Sequence, residues 1–469
     1  MARVRPRGRS AAYRKADTGF RPRWVPGLLC ATFFLAVSDS TIVYAALPSI
    51  GVGMAMTESL RWVVVGYLLS SGTLLLLGGR AADRFGQRRV FLVGVALFTA
   101  MSLLCGLAAS GGVLISARVL QGVGAALMVP AALSILTATF PEGSRRNRAL
   151  GVWGSIAGVG ATTGLLLGGP ITETLGWRAI FLINVPVGLA ALALGPRLLE
   201  PDGRHPDGRE PLNLPGAVTA ALALLALTLG IVEVDRSSVA RTVGLLAAAG
   251  LLAWLFLRIE RHAARPLVPA RLFRSRSLVA GNLIILAAGI SVDGLLYTFT
   301  IMTQQLLDKS AVWFGLAMTV MTTTSLLGVS VGQHLVSRRG ARPVATVGFA
   351  LIGLGSMAVR GSSPDVLLPA LVAGLVLFGA GLGACFVAGQ IAALSGVVAE
   401  DAGLASGLEE TTFAIGNALG VAVASTTLLA ASNLHTGART ALSSTAVVAV
   451  FGLLVALFHP GARIGTARP

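Results

Sequence analysis

Charge is scarce in this chain: Asp, Glu, Lys and Arg together make up only 12% of its 469 residues, and mean hydropathy is +0.79. So little charge excludes an ordinary soluble domain, in which roughly a quarter of the residues are charged. Acids are the scarcer sign, 20 against 37 basic residues, for a net charge of +17. That excess would suit a nucleic-acid binder, but the arginines fall in short clusters between apolar runs and form no continuous patch, which excludes nucleic acid as the partner. Cysteine is nearly absent. Cys30, Cys105 and Cys385 are odd in number and lie in apolar stretches, which excludes a disulfide framework or a metal site and predicts small core residues. The five histidines are scattered, no H-E-x-x-H, G-x-S-x-G or P-loop string occurs, and Gly158-Val159-Gly160 lacks its third glycine at Thr163. Nothing here proposes an enzyme, a metal or a cofactor.

What the chain has instead is apolar runs, each of about 20 residues and so long enough to cross a bilayer. Fourteen of them begin near Trp24, Trp62, Val90, Gly112, Leu150, Phe181, Leu214, Val239, Leu278, Ala311, Pro343, Val366, Gly403 and Thr440. An even number places both termini on one side. Threaded this way, most basic residues fall on the two tails and alternate loops; the opposite loops hold only Arg61, Arg178, Arg236, Arg241, Lys309, Arg360 and Arg439. The positive-inside rule then predicts a multi-pass protein of the cytoplasmic membrane with both termini cytoplasmic. The basic tail 1–23 has no apolar core of its own, so the first span is expected to remain as an anchor.

Residues 198–213, rich in Pro, Asp, Gly and Arg, read as a cytoplasmic linker. Transporters are often built from internal repeats, and an offset of 254 residues aligns the two parts of this chain: Gly78, Arg84, Gly86 and Arg88 face Gly332, Arg338, Gly340 and Arg342, while Asp83 faces Ser337. The predicted architecture is all-α, with fourteen transmembrane helices in a 6+2+6 order. It comprises a six-helix half over 24–197, the linker, two extra helices over 214–257, a cytoplasmic loop over 258–277, a second half over 278–458 and a tail over 459–469.

The stretch from Gly78 to Arg89 packs charges and glycines between two apolar runs. It predicts a tight cytoplasmic turn in which Gly86 takes a conformation closed to other residues. Here the chain resembles the major facilitator superfamily, whose loop between helices 2 and 3 carries this pattern. Asp39-Ser40-Thr41-Ile42-Val43-Tyr44-Ala45-Ala46-Leu47-Pro48 is similar to the first-helix motif of its fourteen-span drug:proton antiporter family, with Tyr44 where asparagine is common. Arg118-Val119-Leu120-Gln121-Gly122 resembles the arginine motif of the fourth span, and the string from Gly176 to Gly188 is again like that family. Gly160, Gly164, Gly168 and Gly169 give the fifth span a face for close packing. They resemble the exporter motif GxxxGPxxGG, except that Leu165 replaces the proline and Pro170 follows the glycine pair, so the kink is expected to be lost or displaced.

Acids within apolar spans are the candidate coupling groups, because a carboxylate there costs roughly 2.5 to 3.5 kcal/mol on insertion scales and must face a cavity or a partner. Asp39 and its repeat equivalent Asp293 meet that description. Each reads either as a protonation or cation site or as a satisfied structural group. Glu409 and Glu410 point about 100° apart on a helix, so either one of the two faces the cavity or, lying near the cytoplasmic end of the span, they are simply exposed at the interface. The resemblance to the arginine motif implies that Arg118 tunes a nearby acid, with Gln121 hydrogen-bonding on the same helix face; the competing reading is that Arg118 snorkels to the outer interface. The resemblance implies a major facilitator fold and a proton-coupled efflux transporter for a drug, antibiotic or other amphiphilic small molecule. It implies alternating access driven by the proton gradient, no cofactor and action as a monomer. It also implies a cytoplasmic latch at Gly79, Asp83, Arg84, Gly86 and Arg88. A symporter of the same fold, or a membrane sensor that transports nothing, are the competing readings.

Overall fold

The computed structural model describes residues 21–140, 144–202, 213–232, 239–263, 266–267, 271–361, 367–395, 397 and 402–458. The tail segments 1–20 and 459–469 and most of the linker lie outside the described residues. Among the described residues, fourteen helical spans are long and apolar enough to cross a membrane, as the sequence predicts. Backbone groups in hydrocarbon must satisfy one another, and within a single continuous apolar run of about 20 residues the helix does so.

The first half comprises α1 (Arg21–Gly53), α2 (Trp62–Phe85), α3 (Gln87–Gly106), α4 (Gly111–Thr139), α5 (Ser144–Leu175), α6 (Ala179–Leu182) and α7 (Asn184–Leu198). Two further helices follow, α8 (Leu214–Val232) and α9 (Val239–His262). The second half comprises α10 (Arg276–Ile301), α11 (Ala311–Arg339), α12 (Ala341–Arg360), α13 (Leu367–Leu394), α14 (Ala402–Ala430) and α15 (Leu434–Phe458). Several boundaries differ from expectation. Helix α1 begins inside the predicted tail, α9 runs past 257 to His262, α15 starts ahead of Thr440, and the sixth span is broken at Ile183 into α6 and α7. A stretch of π-helix, Met302–Leu306, extends α10.

Local signals set the ends. The side chains of Ser110, Ser275 and Ser310 cap α4, α10 and α11 by accepting from the backbone N–H three residues on. Gly86 and Gly340 end α2 and α11 with φ of 101° and 84°, a region costly for any residue with a Cβ. These two are repeat equivalents, so the internal duplication holds at the level of backbone conformation.

Packing repeats as well. Helix α1 lies on α5 as α10 lies on α14; α4 takes α2 and α3 as α13 takes α11 and α12. Gly94 sits against Gly124 and Met128 just as Gly348 sits against Gly381 and Cys385. The halves meet along two seams, α5 with α11 and α2 with α14. Helix α8 touches both α2 and α14, and so backs the second seam. Large apolar side chains such as Val239, Leu251 and Trp254 of α9 point outward, which fits a lipid-facing surface and would be a liability in water.

Candidate functional site: a buried ion pair beside a central cavity

Asp39 is held from several directions at once. Arg118 of α4, fully buried, donates from Nη1 to the Asp39 carboxylate and to Oε1 of Gln121 at 2.8 Å, and from Nε to the Val63 carbonyl of α2 at 2.9 Å. Gln121 donates from Nε2 to Asp39 at 3.0 Å and to the Ser102 hydroxyl at 2.8 Å. Asn184 donates from Nδ2 to Asp39 at 2.7 Å. The guanidinium also lies over the Tyr67 ring at 4.3 Å and the Phe181 ring at 5.6 Å. A buried guanidinium would be prohibitively expensive without this shell, since desolvation of an ion in low dielectric costs several kcal/mol after relaxation. Arg118 therefore does not snorkel to an interface: it is 0% exposed and neutralises an acid in the interior.

The sequence explains each position. Arg118 and Gln121 are three residues apart and share one helix face. Asn184 is the first residue of α7, placed by the break at Ile183, and Pro186 falls in the first turn, where its missing N–H costs nothing. Asn184 is marked in the sequence only as a lone amide in an otherwise apolar span, and nothing in the sequence singles out Ser102 or Tyr67 as its companions around the ion pair.

Between the halves lies a cavity of about 350 Å³. Its walls are mainly apolar, with Phe33, Leu68, Leu296 and Phe386, and carry Ser71, Thr322, Ser325 and Asn417 among their polar groups. Among the described residues two acids line it, Asp293 and Glu410; Asp39 does not. Asp293 and Asp39 therefore share a helix position but not an environment. The Tyr44 hydroxyl approaches Asp293 from α1 yet completes no hydrogen bond of good geometry. Of the glutamate pair, Glu410 faces the cavity, whereas Glu409 is packed among helices beside Gln390.

On the side away from the tails the seams are closed. Gln304 donates from Nε2 to the Ala45 carbonyl at 3.1 Å, Glu173 Oε1 accepts from the Val312 N–H at 2.9 Å, and Gly169 packs on Ala311. Toward the tails, Gly72 meets Ala414, Gly407 meets Leu76 and Gly158 meets Leu326, while Gly151 and Gly154 have no neighbour on their open face.

The glycine stripe of α5 divides its work. Gly160, Gly164 and Gly168 seat α5 on α1, and Gly169 seats it on α11. Helix α5 is continuous through Pro170. At the α2–α3 turn, the Asp202 carboxylate accepts from the backbone N–H of Arg88 at 2.9 Å and of Arg89 at 3.1 Å, and Arg88 donates to the Pro196 carbonyl at 2.8 Å. Gly79 rests near Pro130, Arg84 lies over the Phe85 ring and Arg80 donates to the Pro266 carbonyl. Arg88 thus holds the end of the first half and the start of the linker. No group of three or more metal-ligating side chains occurs among the described residues.

The sequence matches the Major Facilitator Superfamily family model over residues 28–421. It is 41% identical to the cephamycin export protein CmcT of Amycolatopsis lactamdurans over 84% of this chain and 83% of that protein. It is 37% identical to the puromycin resistance protein pur8 of Streptomyces alboniger, covering 86% of this chain and 81% of that one. Identity to the lincomycin resistance protein of Streptomyces lincolnensis is also 37%, over 88% and 87%. Among solved structures, the peptide-transporter-family member PepTSo superposes with a TM-score of 0.67 at 16% identity, over 93% of this chain and 97% of that one. A bacterial homologue of the lysosomal transporter Spinster, inward-facing and unoccupied, gives 0.65 at 17% identity, over 93% and 96%. Among the described residues, two pseudo-symmetric six-helix halves around a central cavity and two further apolar helices, together with these matches, place the chain in the Major Facilitator Superfamily as a multi-pass membrane transporter.

Proposed function

We propose that this transporter exports an amphiphilic small molecule, of the antibiotic or drug type, in exchange for protons. The observation that carries the reading is a cavity of small-molecule size between the halves, closed on one side, with carboxylates on its wall and a buried ion pair behind it. The names of the relatives, export and resistance proteins for cephamycin, puromycin and lincomycin, support the direction of transport. In this reading the tails are cytoplasmic, in the cytoplasmic membrane, and the described conformation has its outer side shut. The halves rock about the cavity, so that the seams at Ala45–Gln304 and Gly169–Ala311 part while those near Leu76 and Leu326 tighten. Protonation of the buried acids drives cargo release outward. The Asp39–Arg118 pair, spanning α1 and α4, transmits charge changes to the packing of the first half. The α2–α3 turn with Asp83, Arg84 and Arg88 steadies the cytoplasmic face when the cavity opens outward. One polypeptide contains a whole cavity, so the monomer suffices; the proton gradient is the energy source and no cofactor takes part.

The test is reconstitution into liposomes with a trapped pH-sensitive dye, challenged with lipophilic cations and antibiotics across an imposed proton gradient. Drug-dependent proton flux in the opposite direction is the expected result. Proton and solute moving together would make the protein a symporter, and no flux with any compound would overturn the reading.

A further inference from the structure

The two inserted helices serve the two seams unevenly. Helix α8 packs on both α2 and α14, and α9 packs on α8; neither makes an extended contact with α5 or α11 among the described residues. The insert is fixed at both ends. Asn213, just ahead of α8, donates from Nδ2 to the Glu260 carboxylate near the end of α9, and Thr426 of α14 donates to the Ile231 carbonyl of α8 at 3.4 Å. The loop after α9 is tied to both halves: the Pro266 carbonyl accepts from Arg80 of α2 at 2.8 Å, and Leu272 is buried with Leu278 of α10 and Ala405 of α14.

The seams also part at different depths. Contact between α2 and α14 continues toward the tails as far as Gly407 on Leu76, in the second turn of α14. On α5, Gly158 meets Leu326 about four turns in, whereas Gly154 and Gly151, on the same helix face and nearer the tails, have nothing within 4 Å of a Cβ placed there. Leu326 lines the cavity and is 45% exposed, so the cavity wall and the outer surface meet at this residue; Leu327 and Val331 continue the apolar surface beside it. Trp153, next to Gly154, stacks on Phe33 of the cavity wall with ring centroids 4.2 Å apart.

The chemistry of the two sides accounts for the difference. Helix α14 brings Glu410 and Asn417 to the cavity, and a carboxylate opened to acyl chains is costly, so this side needs cover. Helices α5 and α11 bring no ionisable group to it, and the hydroxyls of Thr162 and Thr322 bond to carbonyls of their own helices. A gap on that side exposes nothing that lipid chains cannot touch. We propose that α8, α9 and the loop after them seal the α2–α14 seam against the membrane, and that the α5–α11 seam is the portal through which an apolar molecule dissolved in the tail-side leaflet passes into the cavity. The sealed seam then acts as the hinge side of the rocking motion and the bare seam as the mouth. As a route for cargo the inference rests on the exporter reading, and it names where that cargo comes from.

The experiment places a bimane fluorophore on single introduced cysteines of the full-length protein in liposomes; the native thiols are buried and stay unlabelled in the folded state. Two reporters sit on the cavity wall, Ser325→Cys on the α11 side and Ser71→Cys on the α2 side, and Leu327→Cys is the lipid-facing control. Quenching is compared between aqueous iodide and a phosphatidylcholine with a doxyl spin label on its acyl chain. The doxyl lipid should quench Ser325→Cys nearly as well as the control and several-fold more than Ser71→Cys. Gly154→Trp fills the open face of α5 without a clash, so it should remove lipid quenching at Ser325→Cys and leave the control unchanged; Gly151→Trp is a second plug of the same kind. Equal lipid quenching at the two cavity reporters would overturn the seal. Quenching of Ser325→Cys by iodide alone, or lipid quenching that survives both plugs, would overturn the portal. The readout needs no cargo, so the two levels separate: drug-driven proton flux without lipid access at Ser325→Cys sinks the portal and spares the exporter, whereas lipid access without flux sinks the exporter and spares the portal.

Discussion

Substituting Arg118 by leucine tests whether the buried pair is an electrostatic unit. The side chain contributes the only cation bonded to Asp39 among the described residues, two further hydrogen bonds, and the guanidinium face over Tyr67. With it gone, Asp39 keeps the amides of Gln121 and Asn184 as donors but has no opposing charge. Removing one partner of a buried pair costs about 3 to 5 kcal/mol, chiefly because the other charge is stranded. Asp39→Asn in the same background removes the stranded charge, so the double variant should recover about 2 kcal/mol, roughly a thirtyfold change in the unfolding equilibrium, where tenfold is about 1.4 kcal/mol. The assay is built into the chain: Cys30, Cys105 and Cys385 are all buried free thiols, and Cys105 sits 3.8 Å from Gln121. A thiol-activated fluorophore therefore reports unfolding of the detergent-solubilised protein during a thermal ramp. Arg118→Leu should melt several degrees below wild type, with the double variant between them. A single variant that melts with wild type, or a double variant whose loss equals the sum of the singles, would refute the reasoning.

The same melt checks the close packing of α5. In Gly164→Ala the new Cβ would lie 2.6 Å from the Ser38 carbonyl and 3.1 Å from the Ile42 nitrogen, so a loss of about 1 to 3 kcal/mol is expected. Gly151→Ala has open space and should be neutral or gain up to about 1 kcal/mol from helix propensity. Asp202→Ala removes the acceptor for two backbone N–H groups at the start of α3 and should cost about 0.5 to 2 kcal/mol, with Asp202→Asn milder. For topology, Ser110→Cys should react with an impermeant maleimide in intact cells and Arg89→Cys only after permeabilisation; both positions are exposed, and the reverse pattern would invert the proposed orientation.

The spans were legible because a membrane helix must be apolar along its whole length, and the turns were legible because Gly86 and Gly340 sit where only positive φ closes the chain. The same apolarity hides everything about direction. A soluble helix shows its buried face as a stripe, but α1 is apolar nearly all round, so its sequence gives Asp39 a depth without giving it a neighbour. That is why Asp39 reads as a cavity acid and proves to be turned away, toward α4 and α7, and why Glu409 and Glu410 cannot be told apart until α13 and α14 are in place. Arg118 and Gln121 announce themselves by being polar in the wrong place; Asn184 needs the break at Ile183 to reach Asp39, and that break is a tertiary event. The loss of a cation opposite Asp293 is the least visible of all. A constant offset pairs Arg118 with Val372, and only the packing of Gly94 and Gly348 shows that the register slips between α12 and α13, so that Leu375 is the true counterpart. In a duplicated membrane protein, then, the repeat identifies which acids to compare, while the functional difference between them lies in partners that are apolar, and therefore silent, in one of the copies.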